Sequence, residues 1–186
     1  NNSIWIGSDP TSTTDTAEHN VALGLECLDL ITTGDKNVAV GFQTLDASTT
    51  AHSNTALGYQ ALSAATAGSE NVAIGAYAGK AYVGTASSAY GAFGVFIGHT
   101  TGLNLTGNAS YGSITLVGHA AGYSATGANK VTGIGSSALY YADGALNTTA
   151  VGRIAGAFAE GTGSTLIGDS AGYRPSGNYN VAVGYA

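Results

Sequence analysis

The phrase Asn37-Val38-Ala39-Val40-Gly41 has near copies along the whole chain: Asn20-Val21-Ala22-Leu23-Gly24, Asn54-Thr55-Ala56-Leu57-Gly58, Asn71-Val72-Ala73-Ile74-Gly75 and Asn180-Val181-Ala182-Val183-Gly184. The glycine that closes each copy serves as a marker: Gly7, Gly24, Gly41, Gly58, Gly75, Gly98, Gly118, Gly135, Gly152, Gly168 and Gly184, at successive spacings of 17, 17, 17, 17, 23, 20, 17, 17, 16 and 16 residues. A fixed short period of this kind is the signature of a solenoid, in which each repeat packs only on its neighbours. Residues 1–186 therefore read as a single repeat domain, with an irregular, insertion-bearing section at 80–112.

Just before each marker stands an aliphatic residue, and the residue three back is often Val or Thr, with Ala between them in the most regular copies. Alternate side chains of a strand face opposite ways, so one face carries branched aliphatics and the other a column of small residues. A narrow coil buries little apolar surface per ordered residue, and on that ground the small-residue face is expected to be where other copies of the chain pack. Three residues after the marker the chain is usually small, and four after it is Leu or Gly, as in Leu28, Leu45, Leu62, Gly79, Gly102 and Gly122. This predicts a second short strand, entered through a bend at the marker glycine. Polar connectors such as Thr32-Thr33-Gly34 and Thr66-Ala67-Gly68 close each unit.

The expected fold is all-β: a parallel β-solenoid of about eleven short coils, near 17 residues each. A helix is excluded by two-residue apolar spacing and by the density of Gly and β-branched residues. At about 4.8 Å per coil the eleven markers imply a rod roughly 50 Å long, along which Asn20, Asn37, Asn54 and Asn71 stack as a ladder of amides.

Composition removes several function classes. The net charge is −6, and Lys36, Lys80, Lys130, Arg153 and Arg174 are scattered singly, so no phosphate-neutralising surface for nucleic acid is expected. No apolar run is long enough to insert in a membrane. The glycines punctuate a β repeat without a following strand-to-helix unit, which argues against a nucleotide site. Cys27 occupies a slot held by Ala in other copies and reads as a small buried side chain. No cofactor is expected.

Tandem Asn-Val-Ala-Ile-Gly phrases resemble the head repeats of trimeric autotransporter adhesins. The longer form Asn54-Thr55-Ala56-Leu57-Gly58-Tyr59-Gln60-Ala61-Leu62, with its Thr-rich connector, looks still more like the repeats of bacteriophage tail fibres. The resemblance covers essentially the whole chain, with weaker copies between residues 80 and 150. It implies a left-handed β-roll assembled as a homotrimer, and an extracellular place, either in a virion tail fibre or on a bacterial cell surface. The partner it implies is a bacterial surface polysaccharide or lipopolysaccharide.

The repeat-defining residues are Gly24, Gly41, Gly58, Gly75, Gly98, Gly118, Gly135, Gly152, Gly168 and Gly184, with Asn20, Asn37, Asn54 and Asn71. For recognition, the irregular section supplies Tyr82, Tyr90, Phe93 and Tyr111, aromatic residues on lengthened units that could stack on sugar rings. His99 and His119 both follow a marker glycine directly and are expected as a stacked surface pair rather than a metal site. The acids fall at different phases of the repeat, so no stacked carboxylate pair and no catalytic site is expected; Glu26 and Asp29 are the nearest to a glycosidase pair. The expected function is that of a non-enzymatic structural and adhesive fibre segment, with a bacterial trimeric surface adhesin head or an extracellular filament subunit as the alternative and a glycan-depolymerising, tailspike-like enzyme as a further one.

Overall fold

The computed structural model describes residues 3–7, 16–82, 93–105 and 113–185. Among these, eleven strands form one parallel sheet in strict chain order: β1 (Ile4–Gly7), β2 (Val21–Gly24), β3 (Val38–Val40), β4 (Thr55–Leu57), β5 (Val72–Ile74), β6 (Gly94–Ile97), β7 (Ile114–Val117), β8 (Thr132–Ile134), β9 (Thr149–Val151), β10 (Thr165–Ile167) and β11 (Val181–Val183). No helix among the described residues is long and apolar enough to cross a membrane. Each strand pairs with the equivalent residues of the next, as in Ala39↔Ala56 and Ala56↔Ala73. The lengthened units do not disturb this register, since Ala73 pairs with Phe96 and Phe96 with Leu116. The residues by which these units exceed the regular period fall within 83–92 and 106–112, outside the described residues.

The small residues face inward, contrary to expectation. Ala22, Ala39, Ala56, Ala73 and Ala150 are buried by their own chain, whereas Leu23, Leu57, Ile74, Ile97, Ile134 and Ile167 on the opposite face are exposed. The physical reason is the width of the coil. The cross-section enclosed by so few residues leaves room for about one large side chain between the two walls, so where the turn wall supplies a leucine the strand contributes only a methyl group.

Among the described residues each coil has one strand rather than two. The segment after the marker glycine is a succession of turns, in which the second and fourth residues take positive φ: Gln43 (52°) and Leu45 (52°), Gln60 (54°) and Leu62 (50°), Ser137 (57°) and Leu139 (53°). Alternate left-handed residues prevent an extended strand but still point successive N–H groups up and down the rod. Gln43 N–H donates back to the Leu25 carbonyl (3.1 Å), and Leu45 N–H donates forward to that of Ala61 (3.1 Å). The turn wall is thus hydrogen-bonded coil to coil much as the sheet is, which leaves few buried backbone groups orphaned.

The marker glycines have φ near +130°, as at Gly41 (133°) and Gly58 (136°), a region that essentially only glycine enters. A Cβ on Gly41 would lie 2.6 Å from the Gly58 carbonyl oxygen of the next coil. The column of glycines exists because backbone stacks on backbone at this corner.

Inside, large and small side chains trade places between the two walls. Where the middle strand residue is Ala, as in Ala22, Ala39 and Ala56, the fourth residue after the marker is Leu28, Leu45 or Leu62. Where it is Phe96, Leu116 or Leu166, the facing position is Gly102, Gly122 or Gly172. A Cβ on Gly122 would meet Leu116 Cδ1, and one on Gly102 would lie 2.8 Å from the Phe96 ring. The two coils that are small on both walls, Ala73 with Gly79 and Ala150 with Gly156, are filled from their neighbours: a Cβ on Gly79 would lie 2.9 Å from both Leu62 and Phe96, and one on Gly156 would lie 2.7 Å from Leu166 and 3.2 Å from Leu139.

The asparagine ladder forms as expected. Nδ2 of Asn37, Asn54 and Asn71 donates to Oδ1 of the Asn one coil earlier at 3.1, 3.1 and 3.0 Å, and each Oδ1 also accepts the backbone N–H of the following Asn. Asn37 and Asn54 further donate to the carbonyls of Ala51 and Gly68, and Gly94 N–H caps the run on Asn71 Oδ1 at 2.7 Å. All four amides are buried.

Candidate functional site

Of the four aromatic residues expected to recognise a ligand, Tyr82 is inside the coil. Its ring packs on Phe96 with centroids 4.9 Å apart, and it is 2% exposed, so no sugar reaches its face. Tyr82 lies seven residues after Gly75, the phase that is also buried at Ile31, Ser48, Ala65, Leu105, Ala125, Ala142 and Ala159. Phe93 is exposed, directly before β6. Tyr90 and Tyr111 lie outside the described residues.

The turn wall instead carries two runs of stacked rings that the expectation missed. One comprises Phe42, Tyr59, Tyr77, His99 and His119. Within it the two histidines stand as expected, nearly parallel (8°) with centroids 5.5 Å apart. No group of three or more His, Cys, Asp or Glu side chains is gathered around a common centre among the described residues. Burial raises the Tyr77 hydroxyl above its usual range, assisted by its contact with Tyr59.

The second run comprises Tyr123, Tyr140, Tyr141, Phe158 and Tyr173, spanning four coils. Tyr123 stacks flat on Tyr140 (5.0 Å, 12°), but Tyr141 stands across Tyr140 (4.6 Å, 88°) and Tyr173 across Phe158 (5.2 Å, 71°). Rings turned across their neighbours do not spend both faces on each other. Tyr141 and Tyr173 are exposed. The run ends under Arg174, whose Cζ lies 5.0 Å from the Phe158 centroid. The signal in the sequence was phase: Tyr123, Tyr140 and Tyr173 all fall five residues after a marker glycine, and Tyr141, Phe158 and Arg174 six after.

The acids are closer together than their expected scatter. Asp29 and Asp46 share a phase, five residues after Gly24 and Gly41, and Glu18 and Asp35 share another. Partial burial raises the Asp46 pKa, and the neighbouring charges of Asp29 and then Glu26 raise it further. The Glu26 carboxylate accepts a hydrogen bond from Gln43 Nε2 at 2.6 Å, and Gln43 in turn accepts one from Gln60, a short outer ladder of side chains. Cys27 is buried as expected. Its Sγ donates to the Gly41 carbonyl at 2.9 Å, the role that the Thr44 hydroxyl plays toward Gly58 at 2.7 Å, and burial pushes the thiol pKa up.

The outer face of the sheet is aliphatic along its length. At the positions one and three before each marker, every residue in all eleven copies is Ile, Leu, Val or Thr. Compared with protein-family models, with curated proteins and with solved structures, the chain matches none.

Proposed function

We propose that this chain is a non-enzymatic structural and adhesive fibre segment, assembled as a homotrimer along its exposed sheet face and presenting its turn wall to a bacterial surface glycan. The observation that carries the reading is the outer aliphatic strip. It is uncharged from β1 to β11 and includes Leu23, Leu57, Ile74, Ile97, Ile134 and Ile167, each at least 37% exposed. At two side chains across and roughly 50 Å along, it covers on the order of 500 Å², near the upper end of what a monomer leaves bare. The buried columns are already filled by the chain itself, which leaves the strip as an apolar face for a partner to cover.

A strip repeated at each coil also fits a second copy of itself, because identical rows on parallel rods fall into register without a special contact. The tail-fibre resemblance supplies the trimer number and the left-handed coil, and it favours a virion fibre over a bacterial surface adhesin. A stiff rod in several copies turns weak glycan contacts into avid ones without new chemistry.

Cross-linking tests the assembly. In a Cys27→Ala background, a cysteine is placed at Leu57 or Ile134 on the outer strip, or at Gln60 on the turn wall, and the protein is oxidised. Covalent pairs are expected from Leu57→Cys and Ile134→Cys but not from Gln60→Cys. Equal yields at all three positions, or pairs from Gln60→Cys alone, would contradict the proposed seam.

A further inference from the structure

Glu160, Arg174, Pro175, Ser176 and Gly177 close a groove of about 330 Å³ against Phe158. That volume lies at the lower end of the range for small-molecule sites. Its chemistry is unusual for this chain, which holds only five Lys and Arg residues. The guanidinium of Arg174 rests on the Phe158 ring, at 5.0 Å from its centroid, and is exposed. The ion pairs among the described residues are His19 with Glu18 and Arg153 with Asp169, so Arg174 is held by no carboxylate although Glu160 shares its groove. The cation–π contact holds the guanidinium at the ring and leaves N–H donors available to a ligand. Such a fork is matched to a carboxylate, which it binds through two parallel hydrogen bonds.

We infer that this groove binds one acidic sugar residue of a surface glycan. The carboxylate of the sugar lies on Arg174, its C–H face lies against Pro175 and the edge of the Phe158 ring, and Glu160 accepts from its hydroxyls. Tyr173, exposed and standing across Phe158, extends the apolar wall toward the next sugar in the chain. The inference rests on the adhesive half of the proposed function and names the ligand class.

Binding is measured by titration calorimetry with uronic-acid and sialic-acid oligosaccharides, each beside its neutral counterpart of equal length. At least a tenfold preference for the acidic member is expected in one or more pairs. Arg174→Gln should abolish that preference. Arg153→Gln, which breaks the exposed pair with Asp169, should leave it unchanged. Both arginines are exposed, and an unaltered circular dichroism spectrum and melting temperature confirm that each variant is folded. Equal binding of acidic and neutral sugars, a preference that survives Arg174→Gln, or no binding of any pair overturns the inference. A native mass that remains oligomeric in those cases leaves the fibre reading standing, whereas a monomer removes that reading independently.

Discussion

The exchange of bulk between Leu116 and Gly122 can be tested by moving the leucine from one wall to the other. Leu116 is fully buried on β7, and Gly122 faces it at a φ of 57°. Leu116→Ala alone opens a cavity and should cost about 2 to 5 kcal/mol. Gly122→Leu alone drives a Cβ into Leu116 Cδ1, an overpacking cost of about 1 to 3 kcal/mol, with about 1 to 2 kcal/mol more for a left-handed leucine. The double variant recreates the arrangement of Ala22 with Leu28 and of Ala39 with Leu45, where leucine sits at φ 51° and 52°. It should therefore lie within about 2 kcal/mol of the parent, giving a favourable coupling of at least about 2 kcal/mol between the two changes. Urea unfolding followed by circular dichroism, at one fixed protein concentration, measures all four proteins. A double variant as unstable as the sum of the singles would refute complementary filling of the coil.

Three further outcomes follow from the same coil geometry. Asn54→Ala removes the amide that donates to Asn37 Oδ1 and the Gly68 carbonyl and strips Asn71 of its acceptor, and urea unfolding should show a loss of about 3 kcal/mol; a loss under about 1 kcal/mol would show the ladder to be incidental. Ser48 Oγ is buried without a hydrogen-bond partner, in a phase where Ala65, Ala125, Ala142 and Ala159 are buried, so Ser48→Ala should stabilise by about 1 kcal/mol, and any destabilisation in the melt would count against the packing described. The Asp46 pKa is raised above its ordinary value of 3.8 by burial and by Asp29 and Glu26, so its protonated form suits the fold, and stability present in acid is lost as pH rises through the raised value. Asp46→Asn should thus raise the melting temperature at about pH 7 and give no gain near pH 3, where the native carboxyl is already neutral; an equal gain at both would show that charge is not the cause.

The period, the glycine corners and the asparagine ladder were legible because each reflects a constraint repeated in every coil. Gly41 against Gly58, or Asn37 against Asn54, can be aligned by counting. The direction of the strand faces was not legible in the same way. Both faces of Val38-Ala39-Val40 are apolar, so alternation separates them without saying which is inside; only the narrow coil decides for Ala39. The second wall was taken for a strand because the sign of φ at Gln43 and Leu45 leaves no mark on residue type, and leucine is not an expected left-handed residue. The anticorrelation of Ala22 with Leu28 and Leu116 with Gly122 was present in the sequence and carried the interior packing.

Of the candidate site, Tyr82 was legible by phase: it stands in an irregular section, yet counting seven residues from Gly75 places it in a column that is buried in other coils. The same counting brings Asp29 above Asp46 and aligns Tyr123, Tyr140 and Tyr173 on the turn wall. The groove at Arg174 was not legible by phase, since it is shaped by the local course of Pro175-Ser176-Gly177 beside Phe158 and Glu160.

The central claim is that copies of this rod join along the aliphatic strip of the sheet. Native mass by light scattering, on the parent and on Leu57→Lys/Ile134→Lys, tests it most directly. The account predicts a parent particle of three 18.3 kDa chains and a folded monomer for the lysine variant, whose charges project from the strip without entering the coil. A parent that runs as a single 18.3 kDa chain, or a three-chain particle indifferent to both lysines, would contradict it.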